Sequence, residues 1–119
     1  IEQEEHGELS IVRKDNREAI EEKNEIGYEY ELLANKKNMS LITPTIVSVL
    51  PGAETVDPYI HENDEFILIL TGSIILSYDG KKYEMNIGDS AYFSGKKPHI
   101  FLSNSKQHTT VLTIYIDNN

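Results

Sequence analysis

Short runs rich in Ile, Val, Tyr and Thr recur along the chain, broken by Gly, Pro, Asn and Asp about every ten residues. The runs are "ELSIVR" (8–13), "YEYELLA" (28–34), "SLITPTIVSVL" (40–50), "EFILILTG" (65–72), "SIILSY" (73–78), "KYEMNI" (82–87), "SAYFS" (90–94), "HIFLSN" (99–104) and "TTVLTIYID" (109–117). Their spacing predicts strands. Asp79-Gly80 separates two of them with the residue types that a type I′ hairpin needs, since both central positions take positive φ. Ile87-Gly88-Asp89 and Gly95-Lys96-Lys97-Pro98 supply further turns. Segment 16–27, "NREAIEEKNEIG", has only Ala19, Ile20 and Ile26 as apolar residues. It could be a short helix or a charged edge strand, and the strand is the expectation. Phe66 to Leu70 is apolar on both faces, so its outward residues are expected to press on a second sheet or a partner subunit. About nine strands, with no helix to cover a sheet, leave an all-β sandwich or rolled barrel.

Composition narrows the function. At 119 residues the chain is one domain with a single core. No 18-residue apolar run is present, which excludes a helical membrane span. The formal charge of −9 repels a phosphate backbone, and "NKKN" (35–38), "GKK" (80–82) and "GKKP" (95–98) sit among turn formers rather than in a basic stripe. The domain alone is therefore not expected to grip nucleic acid. With no cysteine there are no disulfides or thiolate ligands, which fits the cytoplasm. Glu2, Glu4 and Glu5 read as a solvated tail, and His6 and His108 as surface residues. The chain opens on Ile1 rather than Met, as expected of a piece of a longer protein.

Chemistry concentrates in "PYIHENDEFILILTG" (58–72), where His61 and Glu65 stand four positions apart at the mouth of the most hydrophobic run. A metal site, a ligand pocket and a polar turn would each account for it. In a straight strand the two Cα atoms would lie about 13 Å apart, so shared ligation requires the chain to fold between them. Glu62-Asn63-Asp64 suits such a turn. His99 likewise begins a strand, and two imidazoles with one carboxylate form the facial set that leaves open positions on Fe(II) and similar ions. If His61 and Glu65 face inward, strand alternation puts Tyr59, Ile67 and Ile69 inward too. Phe101 and Ser103 follow His99 in the same way. These residues would be core, or the walls of a small-molecule pocket. Tyr78, Tyr92 and Tyr115 are further strand tyrosines that could face the same interior. There is no Cys, nucleophile elbow or phosphate-cradling Gly loop, so no nucleophilic catalytic residue is assigned.

The run "PGAETVDPYIHENDEFILILTG" followed by "YEMNIGDSAYFSGKKPHIFLSN" resembles the two motifs of the cupin superfamily. Gly52, His61, Glu65 and Gly72 match the Gly, second His, Glu and final Gly of the first motif, while Tyr59 takes the place of the first His. Gly88 and His99 match the second motif; Ser94 and Lys96 replace its Pro and Gly, and Ser103 stands at its Asn position, one residue before Asn104. With "YEYELLA" upstream, residues 26 to 117 resemble the cupin half of XRE-type helix-turn-helix regulators.

The resemblance implies a double-stranded β-helix, or jelly-roll barrel, with N-terminal strands over about 1–40 and the barrel over about 41–117. It also implies a homodimer, a small-molecule effector in the barrel, and a helix-turn-helix domain ahead of residue 1. Three of the four usual metal positions fall on His61, Glu65 and His99, for a divalent ion such as iron, zinc, manganese or nickel. The alternative that it implies is a mononuclear Fe(II) enzyme like hydroxypropylphosphonate epoxidase, holding iron through the same three residues.

Overall fold

The computed structural model describes residues 4–6, 8–20, 28–51 and 57–117, and the side chains of 4–6 are outside that set. Gly52, residues 21–27 of the 16–27 segment, and the side chains of His6 and the acidic run therefore lie outside the described residues.

Among the described residues the chain forms eleven strands and two 3-10 turns, at Lys14–Asn16 and Lys36–Asn38. The strands are β1 (Glu4–His6), β2 (Leu9–Ile11), β3 (Ala19–Ile20), β4 (Tyr28–Leu32), β5 (Ile42–Val49), β6 (Asp64–Thr71), β7 (Ser73–Tyr78), β8 (Lys81–Asn86), β9 (Ser90–Ser94), β10 (His99–Ser103) and β11 (Thr109–Ile116). A six-stranded sheet, in the order β3-β4-β5-β11-β6-β9, faces a three-stranded sheet, in the order β10-β7-β8. All pairings in both are antiparallel. β1 and β2 form a separate hairpin. This is the all-β architecture expected from the strand spacing, and the jelly-roll that the cupin resemblance implies.

The local chemistry explains the turns. Asp79 and Gly80 take φ of 51° and 82°, as the type I′ hairpin between β7 and β8 demands. Gly88 has φ 87° in the turn before β9. Gly72 combines φ 70° with close approach, for a Cβ there would overlap the Thr109 hydroxyl. The Thr109 hydroxyl in turn donates to Ser73 O at 3.0 Å, which ties the β6–β7 corner to β11.

Alternation along β6 is regular: Glu65, Ile67 and Ile69 are buried, whereas Phe66 and Leu68 are half-buried and Leu70 is exposed. Opposite the inward row on β11 stand Tyr115, Thr113 and Val111, in register. Ile67, Ile69, Ile74, Leu76, Val47 and Val111 make the aliphatic centre between the two sheets. Each such side chain contributes about 1.5–3 kcal/mol by leaving water.

β10 is an edge strand of the small sheet, and its free backbone groups are covered from the other sheet's side of the barrel. Tyr59 and His99 form a two-bond bridge, with N–H to O distances of 2.8 and 3.0 Å. The Tyr28 hydroxyl donates to Phe101 O at 2.8 Å and accepts from Phe101 N. An edge that would otherwise present unpaired groups is thus closed by one backbone segment and one phenol.

Candidate metal centre

His61, Glu65 and His99 come together. Glu65 is the first inward residue of β6, His99 the first residue of β10, and His61 precedes β6 across a bend at residues 62–63. That bend is the fold-back which shared ligation requires. It is held by His61 N–H donating to Gly95 O at 2.8 Å and Gly95 N–H donating to Asn63 O at 3.0 Å. The His61 ring then occupies the space beside Gly95, where a Cβ would overlap the imidazole. Gly95 is buried, one position before the Lys96 that stands at the motif's glycine, and no sequence pattern had singled it out for the site.

The three atoms that could ligate an ion lie close and inward. His61 Nε2 is 3.2 Å from Glu65 Oε1 and 3.0 Å from His99 Nε2, and His99 Nε2 is 3.8 Å from Glu65 Oε1. Glu65 and His99 are each only 3% exposed. Atoms that share one ion at about 2.1 Å sit about 3.0 Å apart at right angles and about 3.4 Å apart in a tetrahedron. The observed spacings suit a single divalent ion.

Proton placement supports the same reading. His99 Nδ1 lies 2.8 Å from Lys97 O, and a carbonyl can only accept, so the proton is on Nδ1 and the Nε2 lone pair points into the site. Burial holds the His99 imidazole below its ordinary pKa, which favours this neutral, ligating form. A ligating histidine usually donates its second N–H in just this way. His61 differs: its Nδ1 is buried with no protein hydrogen-bond partner among the described residues. Its Nε2 faces both the bare nitrogen of His99 and the carboxyl of Glu65. One N–H cannot point fully at both, whereas an ion accepts lone pairs from all three.

Above the triad is a cavity of about 280 Å³. His61, Glu65 and His99 form its polar floor, and Tyr28, Tyr30, Tyr59 and Tyr115 line it together with Phe101. Ile20, Ile60, Ile100 and Asn63 complete the lining, with Ile60, 66% exposed, marking the mouth. Burial lifts the Tyr28, Tyr30 and Tyr115 hydroxyls above the ordinary tyrosine value, so they stay protonated.

The other residues singled out in the sequence divide between cavity and core. Tyr59 and Phe101 line the cavity. Ile67 and Ile69 face inward but sit in the aliphatic core, at 0% and 1% exposure, and are not among the lining residues. Ser103 also lies outside the lining, donating to Ser105 O at 3.1 Å. Tyr78 packs on Phe93 and donates to Ser94 O, and Tyr92 is an exposed residue bonded to Asp64. His108 is exposed, as expected. Tyr28 and Tyr30, absent from the sequence-based candidates, are as much part of the wall as Tyr59.

Comparison with known proteins places these observations. The family described as "Cupin domain" matches residues 45–115. Among curated proteins none matches the chain in sequence. A cupin-superfamily sugar phosphate isomerase from Silicibacter pomeroyi is similar in structure, with TM-score 0.73, 23% identity, and coverage of 90% of this chain and 75% of that one. Hydroxypropylphosphonic acid epoxidase from S. wedmorenis matches with TM-score 0.78 at 20% identity, over 97% of this chain but only 63% of its own. The Cupin_2 domain of an XRE family transcriptional regulator from Enterobacter cloacae matches with TM-score 0.70 at 17% identity, over 78% of this chain and 99% of that one. Among the described residues no helix is long and apolar enough to cross a membrane.

Proposed function

The chain belongs to the cupin family, and from that premise we propose that it is the effector-sensing module of a helix-turn-helix transcriptional regulator, with a divalent ion at the floor of its cavity. The observation that carries this reading is the convergence of His61, Glu65 and His99 beneath a small aromatic-walled hollow. Two imidazoles and a carboxylate suit iron, zinc, manganese or nickel. Buried oxygen and nitrogen donors with an apolar wall above them are the usual build of a small-molecule site. When bound, the ion supplies a Lewis-acidic centre with open positions. The protein holds it through the three side chains, fixes the His99 tautomer through Lys97 O, and screens the floor from water with Tyr28, Tyr59 and Phe101.

Support for the regulator comes from the likeness to the Enterobacter cloacae domain, nearly all of which this chain spans. The net charge of −9 fits a module that leaves DNA contact to another domain. On this reading the module works as a cytoplasmic homodimer with a helix-turn-helix domain ahead of residue 1. The effector must bind one arrangement of the dimer better than another, because equal affinity shifts nothing. If the DNA upstream of the codon for Ile1 encodes no helix-turn-helix segment, the regulator assignment fails.

A second reading is a mononuclear Fe(II) enzyme, favoured by the three-residue set and by the fold shared with the epoxidase. Both readings need the ion. Elemental analysis should find about one divalent ion per wild-type chain and almost none in Glu65→Ala; equal metal content in the two would remove the ion from this site. Oxygen uptake by the Fe(II)-loaded protein separates the enzyme from the sensor.

A further inference from the structure

We infer that the cavity selects small oxygen-donor ligands with an aromatic or apolar body and at most one negative charge, and that it discriminates against phosphate esters and phosphonates. This rests on the proposed metal floor and deepens it by assigning the ligand class. The lining contains no Lys or Arg among the described residues. Its polar groups above the floor are the phenols of Tyr28, Tyr30, Tyr59 and Tyr115 and the amide of Asn63. A phenol or an amide carries no positive charge in any protonation state, so these groups offer hydrogen bonds but no counter-ion to an anionic ligand.

The charge balance follows. A divalent ion on the Glu65 carboxylate and two neutral imidazoles leaves one net positive charge. A monoanion neutralises it. A dianion leaves a surplus negative charge against buried phenyl rings, with no guanidinium or ammonium among the described lining residues to receive it, and such a charge is costly to desolvate. The volume of about 280 Å³ is at the small end of ligand sites. The aromatic wall, with Phe101 and Tyr28 at 5.8 Å between ring centroids, suits a flat apolar body.

The test titrates the Zn(II)-loaded protein at pH 8 with mandelate and phenyl phosphate, which share a phenyl ring and differ in charge. Mandelate is expected to bind about tenfold or more tightly than phenyl phosphate. Ile60→Lys, which adds a cation at the exposed mouth, should raise phenyl phosphate affinity and narrow that gap. Equal or tighter binding of phenyl phosphate to the wild type would overturn the inference, as would absence of mandelate binding to both metal-loaded and metal-free protein. Failure of the protein to take up Zn(II) would overturn the metal floor and the charge balance built on it, whereas phenyl phosphate preference in Zn(II)-loaded protein overturns the ligand class alone.

Discussion

Two regions of the barrel interior, built by the same strands and only a few residues apart, do opposite things. On the inward row of β6, Ile67 and Ile69 meet Thr113 and Val111 in a closed, fully buried layer. Two residues earlier on that row, Glu65 faces Tyr115 and opens onto a cavity. The backbone pairing is continuous across both. What changes is the residue type on each rung, and with it the balance between stability and chemistry. The aliphatic layer lowers the free energy of the folded state by removing apolar surface from water. The polar layer gathers three groups whose burial costs free energy unless something binds them together.

The largest effect that would sharpen this contrast is a cavity in the aliphatic layer. Ile67→Ala should cost about 2–5 kcal/mol in urea unfolding while leaving Zn(II) affinity of the folded protein within about threefold. A large loss of affinity there would show that the two layers are not separable. Next comes the closure between the sheets. Tyr28→Phe removes the hydroxyl that both donates to and accepts from Phe101 backbone groups, and should lower stability by about 1–3 kcal/mol on the same measurement.

A smaller effect should move in the other direction, touching the metal more than the fold. Gly95→Ala places a methyl where the His61 ring lies, so competition against a chromophoric chelator should show Zn(II) affinity falling about tenfold. Gly80→Ala, at a position with open space around it, should leave that affinity unchanged. Smallest of all is Ser103→Ala. With its hydroxyl directed to Ser105 O outside the cavity, this variant should keep mandelate affinity and stability within about 0.5 kcal/mol of wild type.

Much of the frame was legible because it depends on local signals. The runs at 73–78 and 90–94 coincide with β7 and β9, and the Asp79-Gly80 turn has the expected φ values. Of segment 16–27, where a strand was expected, Ala19–Ile20 form a two-residue strand, Asn16 ends a 3-10 turn, and residues 21–27 lie outside the described residues. β1 was not expected, because three polar residues carry no period-2 pattern; its pairing with β2 alone defines it. In the site, alternation brought Tyr59 and Phe101 inward with the triad, but it could not tell which inward residues meet a void and which meet other side chains. Ile67 and Ile69 therefore fall in the core. Tyr28 and Tyr30 belong to β4, whose place beside the cavity follows from the sheet order and not from their neighbours in sequence. Gly95 was hidden for a related reason: the ring that needs its missing Cβ is 34 residues away in sequence.

The asymmetry between the two histidines belongs to the same contrast. His99 is fixed by Lys97 O and buried, whereas His61, with 28% of its side chain exposed, is positioned by the bend at residues 62–63 and the gap at Gly95. On the proposed metal reading, His99 would be the pre-set ligand and His61 the one that the local backbone must hold in place.

The most direct test is a Co(II) titration of the wild type beside Glu65→Gln, His99→Gln and Ile67→Ala, followed by visible absorption. The account predicts saturation near one equivalent in the wild type and in Ile67→Ala, with affinity reduced about a hundredfold or more in the two triad variants. Saturation of Glu65→Gln and His99→Gln at wild-type affinity would contradict it, for the three groups would then share a hollow without sharing an ion.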